Sequence, residues 1–158
     1  MPDISFNEAK RKLSLIVMTK ILVFGTFDGL HEGHLNFFKQ AKKYGNRLMA
    51  VIARDLTVKK VKKRYCYKSE RKRLNDVMAT GLISKAFLGH LDDPYRRISE
   101  IKPDIICLGY DQKIFTDKLK KEIKKRNLKI KVYRMKAHKP KTFHSSILKH
   151  VRHLQNTK

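Results

Sequence analysis

Short apolar runs alternate with amphipathic segments along most of this chain. Continuous apolar runs are typical of strands buried on both faces, and here they cover residues 20–24, 48–53, 85–89 and 104–109. Alternating polarity predicts a half-exposed edge strand at 129–135. Apolar positions with helical spacing predict helices at 33–44, 69–78, 94–101, 117–126 and 145–154.

This order predicts a single α/β domain built on a doubly wound parallel sheet of about five strands. We place the domain at 18–158, because Met18 immediately precedes the first convincing strand. Residues 1–17 are then an N-terminal extension, either disordered or a loose helix. The basic stretch 57–68 has no clean period and is predicted to be a loop. In such a fold, ligands bind beyond the carboxyl ends of the strands.

The charge of the chain is strongly unbalanced. Its 38 lysines and arginines against 14 aspartates and glutamates give a formal net charge of +24. This predicts an anionic partner, although charge alone does not separate nucleotides from nucleic acids or anionic membranes. The apolar patch at 13–17 is too short for a signal peptide or a membrane span. Cys66 and Cys107 are not spaced as a pair, which indicates a reducing cytoplasm.

The segment GTFDGLHEGH, residues 25–34, follows the first predicted strand and carries the candidate chemistry. His31 and His34 bracket the first turn of the predicted helix 33–44. A helix N-terminus offers unpaired N–H groups and the positive end of the helix dipole, and both favour phosphate. Imidazoles at this place can donate hydrogen bonds to phosphate oxygens as charge builds up during transfer. Gly33 lets a triphosphate approach the backbone closely.

Other interpretations of these residues stay open. A zinc site of the HExxH type needs histidines four residues apart, whereas those of HEGH are three apart. Both histidines could be structural, although we expect them at the mouth of a site and not in a core. Asp28 could be a turn residue that leads into the helix.

GTFD directly after a buried strand and three residues before HxGH resembles the signature of the cytidylyltransferase-like superfamily of nucleotidyltransferases. The resemblance covers residues 18 to about 151 and implies a Rossmann-like fold. It implies that HxGH binds a triphosphate and stabilises the transition state at the α-phosphorus, with Asp28 near the phosphates or a metal. A lysine of the segment 51–63 should reach the triphosphate from a mobile loop. We choose Lys63, with Lys60 and Lys62 as close competitors and a solvated charge as the alternative.

KPDIICLGYDQ, residues 102–112, resembles the corresponding stretch of archaeal-type FAD synthases, which adenylylate FMN. The predicted fourth strand would deliver Gly109, Tyr110 and Asp111 to the same edge of the sheet as Gly25. Asp111 could contact the nucleotide or the acceptor, or it could cap the following turn. Glycerol-3-phosphate cytidylyltransferases have a similar glycine and aspartate here, so a CTP-dependent enzyme stays open.

KTFHSSILKHV, residues 141–151, resembles the second phosphate motif of the superfamily. There a basic residue precedes a serine or threonine pair at the start of the last helix. Ser145 and Ser146 can cap that helix and also face a phosphate. The basic residue is Lys141, or Lys139, where relatives often place an arginine, and a lysine does not bind a phosphate bidentately.

The resemblance thus implies a homodimeric nucleotidyltransferase that transfers AMP from ATP to FMN and releases pyrophosphate, with Mg²⁺ as cofactor and no metal-ligating residue assigned. One alternative is cytidylyl transfer from CTP to glycerol 3-phosphate or a similar alcohol phosphate. Another is a non-catalytic nucleic-acid-binding protein, which the motif disfavours because backbone binding does not require it. The candidate catalytic residues are His31, His34 and Lys63. The candidate nucleotide-binding residues are Gly25, Thr26, Phe27, Asp28, Gly33, Gly109, Asp111, Lys141, Ser145 and Ser146.

Overall fold

Five parallel strands form one sheet in the computed structural model, which describes residues 5–16 and 18–138. The strands are β1 (Lys20–Gly25), β2 (Arg47–Ile52), β3 (Lys85–Leu88), β4 (Ile105–Leu108) and β5 (Lys131–Arg134). The described helices are α1 (Phe6–Ile16), α2 (Glu32–Lys42), α3 (Asp55–Lys62), α4 (Glu70–Ala79), α5 (Arg96–Ile101) and α6 (Leu119–Lys125). The predicted α/β class with a parallel, Rossmann-like sheet of five strands is confirmed.

β1 lies at the centre of the sheet, whose strand order is β3-β2-β1-β4-β5. Gly25, at the end of β1, pairs with Ile52 of β2, and Val23 pairs with Cys107 of β4. The chain therefore winds from β1 to one edge of the sheet and then from β4 to the other. In an open parallel sheet, a crevice for ligands forms where the winding direction reverses. Here that point lies between the carboxyl ends of β1 and β4.

Helices cover both faces of the sheet, which explains why the central strands have unbroken apolar runs. Val23 of β1 belongs to a buried cluster with Phe38 of α2 and Val77 of α4. Its neighbour Leu22 belongs to a second buried cluster, which contains Leu119 of α6. The two clusters hold the sheet between two layers of helices. The loop that follows β1 begins at the edge of the sheet between these layers.

The prediction of a loop at 57–68 is wrong over its first half, because α3 occupies Asp55–Lys62. Val58 is buried on the inner side of α3, whereas Leu56 and Val61 are exposed. One buried position in an eight-residue helix leaves no helical period in the sequence. The helix is fixed by contacts at its start, which a periodicity argument does not detect.

Two further predictions concern the ends of the chain. α1 forms within the predicted N-terminal extension 1–17, so of the two alternatives considered there the structure has a helix. The predicted helix 145–154 lies outside the described residues. The domain boundary at residue 18 stays a prediction.

α3 and α4 cap each other's first turns. The Asp55 carboxylate accepts a hydrogen bond from the backbone N–H of Glu70 at 3.1 Å, and the Glu70 carboxylate accepts one from the N–H of Asp55 at 2.8 Å. Arg54 also donates to the Glu70 carboxylate, at 3.1 Å. Each carboxylate satisfies a donor that the start of a helix leaves without an intrahelical partner. The start of α3 is thus set by a residue 15 positions further along the chain.

Arg73 of α4 is completely buried and joins three loops at the carboxyl edge of the sheet. Its guanidinium donates to the carbonyl of Thr26 at 2.7 Å and to the carbonyl of Ala53 at 2.8 Å. It also donates to the Asp55 carboxylate at 2.7 Å and to the carbonyl of Lys68 at 3.2 Å. A buried cation is tolerated only when paired and hydrogen-bonded in this way. Arg73 therefore holds together the loops that follow β1, β2 and α3.

We predict that Arg73→Leu destabilises the fold by about 3 kcal/mol, because it leaves three backbone carbonyls and the Asp55 carboxylate without their donor. The midpoint of thermal unfolding should fall by roughly 10 °C for a chain of this size. Arg71→Leu, an exposed arginine on the same helix, is the matched control and should change the free energy of unfolding by less than about 0.5 kcal/mol. Equal unfolding midpoints for the two variants would contradict the assigned role of Arg73.

Candidate active site

A cavity of about 680 Å³ opens at the carboxyl edge of the sheet. Its walls include the residues at or just after the ends of four strands, namely Gly25, Ala53, Gly89 and Gly109. Of the predicted site residues within the described part of the chain, all but Lys63 line this cavity. The crevice expected from the strand order is therefore present, and the motif 25–34 forms one of its walls.

The two motif histidines cap helix α2. His31 is the N-cap residue, and its Nδ1 accepts a hydrogen bond from the N–H of Gly33 at 3.0 Å. His34 reaches back so that its Nδ1 accepts from the N–H of His31 at 3.3 Å. The arrangement is a capping box in which histidines replace the usual serine or threonine and glutamate or glutamine. HEGH is therefore a helix start whose caps are imidazoles.

The caps also determine which nitrogen of each neutral imidazole carries the proton. A nitrogen that accepts a backbone N–H bond is unprotonated, so the hydrogen of each neutral ring lies on Nε2. The ring centroids of His31 and His34 are 4.0 Å apart. Both rings line the cavity. The geometry thus provides two adjacent Nε2–H donors at the positive end of the α2 dipole, which suits an anion.

Gly25 and Phe27 form a close contact that shapes the turn into α2. Phe27 is buried and has a positive φ of 52°, which is uncommon for a residue with a side chain. A Cβ atom added to Gly25 would lie 2.6 Å from the Phe27 ring, so the ring needs a glycine at this position. Phe27 also packs edge-on against His34, with centroids 5.7 Å apart. Gly25 thus leaves room for the Phe27 ring, and the Phe27 ring packs against one of the two histidines.

Asp28 is buried and anchors the loop between α3 and α4. Its carboxylate accepts hydrogen bonds from the N–H groups of Tyr67 at 2.8 Å and Lys68 at 3.1 Å. A guanidinium nitrogen of Arg64 lies 3.9 Å from the same carboxylate. Two alternatives were predicted for Asp28, a turn residue or a residue near the phosphates. The structure adds a third role, because Asp28 lines the cavity and also fixes the backbone of 67–68.

The basic segment brings two cations to the cavity. Lys62, the last residue of α3, donates to the hydroxyl of Thr26 at 3.1 Å, and both residues line the cavity. Arg64 lines it as well. Lys63 caps the C-terminus of α3 in a left-handed conformation with φ of 52° and is not among the lining residues, nor is Lys60. Of the three candidate lysines, Lys62 is therefore the one placed beside the motif.

The loop after β4 closes the opposite wall. Gly109, Tyr110 and Asp111 line the cavity, as predicted from the end of the fourth strand. Gln112 bridges the crevice, since its side-chain amide donates to the carbonyl of Phe24 at 3.3 Å and accepts from the N–H of Gly109 at 3.2 Å. Burial, and to a smaller extent the Asp111 carboxylate, raises the pKa of the Tyr110 phenol, so this hydroxyl stays a neutral donor.

An aromatic cluster forms the floor on one side of the cavity. The ring of Phe115 lies 4.5 Å from that of Phe24 and 4.5 Å from that of Tyr95, measured between centroids. The Tyr95 hydroxyl donates to the carbonyl of Phe115 at 2.9 Å, which fixes the cluster. Ile114, which is 65% exposed, extends this apolar surface at the edge. The cavity therefore combines a cationic side with an apolar side.

Several of these residues were not identified from the sequence. Arg64 and Arg73 are two cations among many, and no spacing rule distinguishes them from their exposed neighbours. Gln112 and the aromatic cluster depend on contacts between residues distant in sequence. The predicted phosphate-binding residues Lys141, Ser145 and Ser146 lie outside the described residues.

Neither cysteine offers a nucleophile at this site. Cys66 and Cys107 are both free thiols, and neither lines the cavity. Burial raises the pKa of Cys107 to about 12, so it stays protonated at neutral pH. Burial also raises the pKa of Cys66. A group transfer in this cavity therefore does not proceed through a cysteine thiolate.

Residues 5–16 and 18–138 contain no group of three or more histidine, cysteine, aspartate or glutamate side chains that could hold a metal ion. In the same part of the chain, no helix has the length and apolarity needed to cross a bilayer.

Comparisons with known proteins agree with the fold. Residues 22–151 match the cytidylyltransferase-like family. The chain is 39% identical over 121 residues to an FAD synthase of Aciduliprofundum boonei, covering 77% of this chain and 80% of that protein. It is 45% identical over 119 residues to an FAD synthase of Methanosarcina mazei, covering 75% and 78% respectively. A crystal structure described as a lipopolysaccharide core biosynthesis protein from Thermoplasma volcanium superimposes with a TM-score of 0.72 at 36% identity, covering 77% of this chain and 98% of that one.

Proposed function

We propose that this chain, which belongs to the cytidylyltransferase-like family, is an FMN adenylyltransferase. Its FAD synthase relatives, at 39–45% identity over most of the chain, support this assignment. A phosphate oxygen of FMN attacks the α-phosphorus of ATP, and a new P–O bond forms as the bond to the β-phosphate breaks. Pyrophosphate leaves and FAD is the product. No covalent intermediate with the protein is required.

The observation that carries the proposal is the pair of Nε2–H donors at the start of α2. Negative charge on the non-bridging oxygens of the α-phosphoryl group is rearranged as the incoming and leaving oxygens exchange. Donors held in place before the reaction stabilise that charge without further reorganisation. His31 and His34 are held in this way because their Nδ1 atoms are engaged by backbone N–H groups.

The two sides of the cavity suit the two halves of the substrates. Phosphates belong on the side of His31, His34, Lys62 and Arg64, where the positive charges and the helix dipole meet. The flavin and adenine rings require apolar contact, which the Phe24, Tyr95 and Phe115 cluster and Ile114 supply on the other side. Lys62 is our choice for the lysine that neutralises the triphosphate, in place of Lys63.

The residues present fit a Mg²⁺ ion that is carried mainly by the nucleotide. Mg²⁺ in nucleotide sites is bound by one or two carboxylates together with substrate phosphates and water. The carboxylates that line the described part of the cavity are Asp28 and Asp111. Asp28 is committed to two backbone N–H groups, so Asp111 is our choice for any direct protein ligand. Bound Mg²⁺ would screen the charge of the triphosphate.

Two further properties of the enzyme are proposed, one from its thiols and one from its family resemblance. A cytoplasmic location is consistent with two free thiols, because disulfides are rare in reducing compartments. A homodimer is proposed from the resemblance to the superfamily, and sedimentation of the purified protein would test it directly.

The assignment is tested by measuring pyrophosphate release for ATP and CTP, each with FMN and with glycerol 3-phosphate. We expect turnover with ATP and FMN, and FAD as the product by chromatography. Turnover with CTP and glycerol 3-phosphate in its place would assign the enzyme to cytidylyl transfer. No turnover with any pair, from a folded protein, would remove the proposed activity.

The two roles of His31, capping and catalysis, can be separated by substitution. His31→Asn keeps a good N-cap residue, so its free energy of unfolding should stay near that of the wild type. His31→Ala removes the cap as well and should cost about 1 kcal/mol. Both variants should lose roughly 10²- to 10³-fold in kcat, because both lack the Nε2–H donor. Retention of normal kcat by His31→Asn would show that the imidazole only caps the helix.

Lys62 and Lys63 form a matched pair for testing the phosphate contact. Lys62→Gln removes a cation from the cavity and should lower kcat/KM for ATP by about tenfold or more. Lys63→Gln removes the same charge from the adjacent position outside the cavity and should leave kcat/KM within about twofold. Both variants lose one unit of net charge, so a difference between them reports position and not long-range attraction. The reverse order would restore the choice of Lys63.

A further inference from the structure

The proposed reaction does not use most of the positive charge of the chain. Its formal net charge is +24, whereas the cations that line the described part of the cavity include only a few of the 38 lysines and arginines. One exposed surface combines lysines with tyrosines, and we call it the α3 face. Its members are Lys59, Lys60, Lys63, Tyr65 and Tyr67, and none of them lines the cavity.

The tyrosines of the α3 face are largely exposed. Tyr65 is 73% exposed and Tyr67 is 75% exposed. Arg64 and Cys66, which alternate with them, are only partly exposed. Exposure thus alternates along residues 64–67, which places the two rings on the outer side of the loop. Two neighbouring exposed aromatic rings provide flat apolar surfaces against which the bases of a partner can stack.

The loop that carries these rings is held in place. Asp28 accepts hydrogen bonds from the backbone N–H groups of Tyr67 and Lys68, and Arg73 donates a hydrogen bond to the carbonyl of Lys68. The ammonium of Lys59 lies 4.9 Å from the centroid of the Tyr65 ring, within the range of a cation–π contact. The tyrosines therefore stand on a fixed backbone next to lysines of α3, which reduces the entropy lost on binding.

We propose that the α3 face binds single-stranded nucleic acid. Lysines that follow a phosphate backbone, with exposed aromatic rings on which bases stack, are the recurring elements of such surfaces. A duplex would make no use of the tyrosines, because its bases are already stacked and covered. An anionic membrane would require a continuous apolar side on α3, whereas its exposed apolar residues Leu56 and Val61 are separated in the sequence by the charged Lys59 and Lys60.

This function would accompany the adenylyltransferase activity and does not replace it. The motif at residues 25–34 disfavours a protein that only binds nucleic acid, because backbone binding does not need those residues. The α3 face contains none of them, so nucleic acid can bind there without using the motif. Binding and catalysis can therefore be measured separately on the same full-length protein.

The first experiment compares two charge-matched variants. Lys59→Gln with Lys60→Gln changes the last turn of α3, and Lys124→Gln with Lys125→Gln changes the last turn of α6. The probe is a fluorescein-labelled oligothymidylate of about 20 nucleotides, longer than common site sizes. Its affinity is measured by anisotropy between about 50 and 200 mM salt. The α3 pair should reduce the salt slope by about 1.4, at 0.7 for each phosphate contact, and the α6 pair should leave it unchanged.

The second experiment tests stacking separately from charge. Tyr65→Ala with Tyr67→Ala should weaken binding by about fivefold or more at each salt concentration, because stacking is lost. The salt slope should stay the same, since no phosphate contact is removed. Tyr44→Ala, at an exposed tyrosine outside the α3 face, is the control and should bind as the wild type does.

Three results would overturn the proposal. Equal losses from the α3 and α6 lysine pairs would mean that binding follows net charge and not this surface. Unchanged affinity of the tyrosine variant would remove the stacking role. A duplex of the same length that binds as tightly as the single strand would also contradict it. FAD synthesis by each variant checks that it has folded, because none of these residues lines the cavity.

Discussion

The buried guanidinium of Arg73 is the interaction on which the site depends. It binds carbonyls or carboxylates from the loops after β1, β2 and α3, and each of these loops contributes to the cavity. Removing a cation from water costs several kcal/mol, which is recovered only when every partner is in place. The loops are thus held in one arrangement by a requirement of the core, and the geometry of the cavity follows from the stability of the fold.

The sheet and the motif could be predicted from the sequence because both depend on local signals. Strands covered on two faces need unbroken apolar runs, as in Ile21 to Phe24, and the residues after such a strand reach the binding edge in any doubly wound fold. The positions of His31 and His34 followed from those two facts. Their role as caps of α2 could not be predicted in this way, because capping boxes are usually built from other residue types.

The rest depended on contacts distant in sequence. α3 contains one buried side chain, Val58, and its start is set by Glu70 in the next helix. Once that start is fixed, the helix ends at Lys62, and the following residue turns away in a left-handed conformation. Which of the two lysines, Lys62 or Lys63, lines the cavity therefore depends on a capping contact between residues distant in sequence. The role of Arg73 could not be predicted from the sequence either. Nothing in the sequence of residues 70–73, ERKR, distinguishes the buried Arg73 from the exposed Arg71.

The orientation of the histidines by peptide groups has a consequence for the chemistry. Many enzymes orient a catalytic imidazole with a carboxylate, which titrates and so brings a second ionisation into the site. In this chain the N–H groups of Gly33 and His31 do the orienting, and a peptide N–H neither gains nor loses a proton in the physiological range. The alignment of each ring therefore needs no auxiliary acid and lasts for as long as the first turn of the helix is intact.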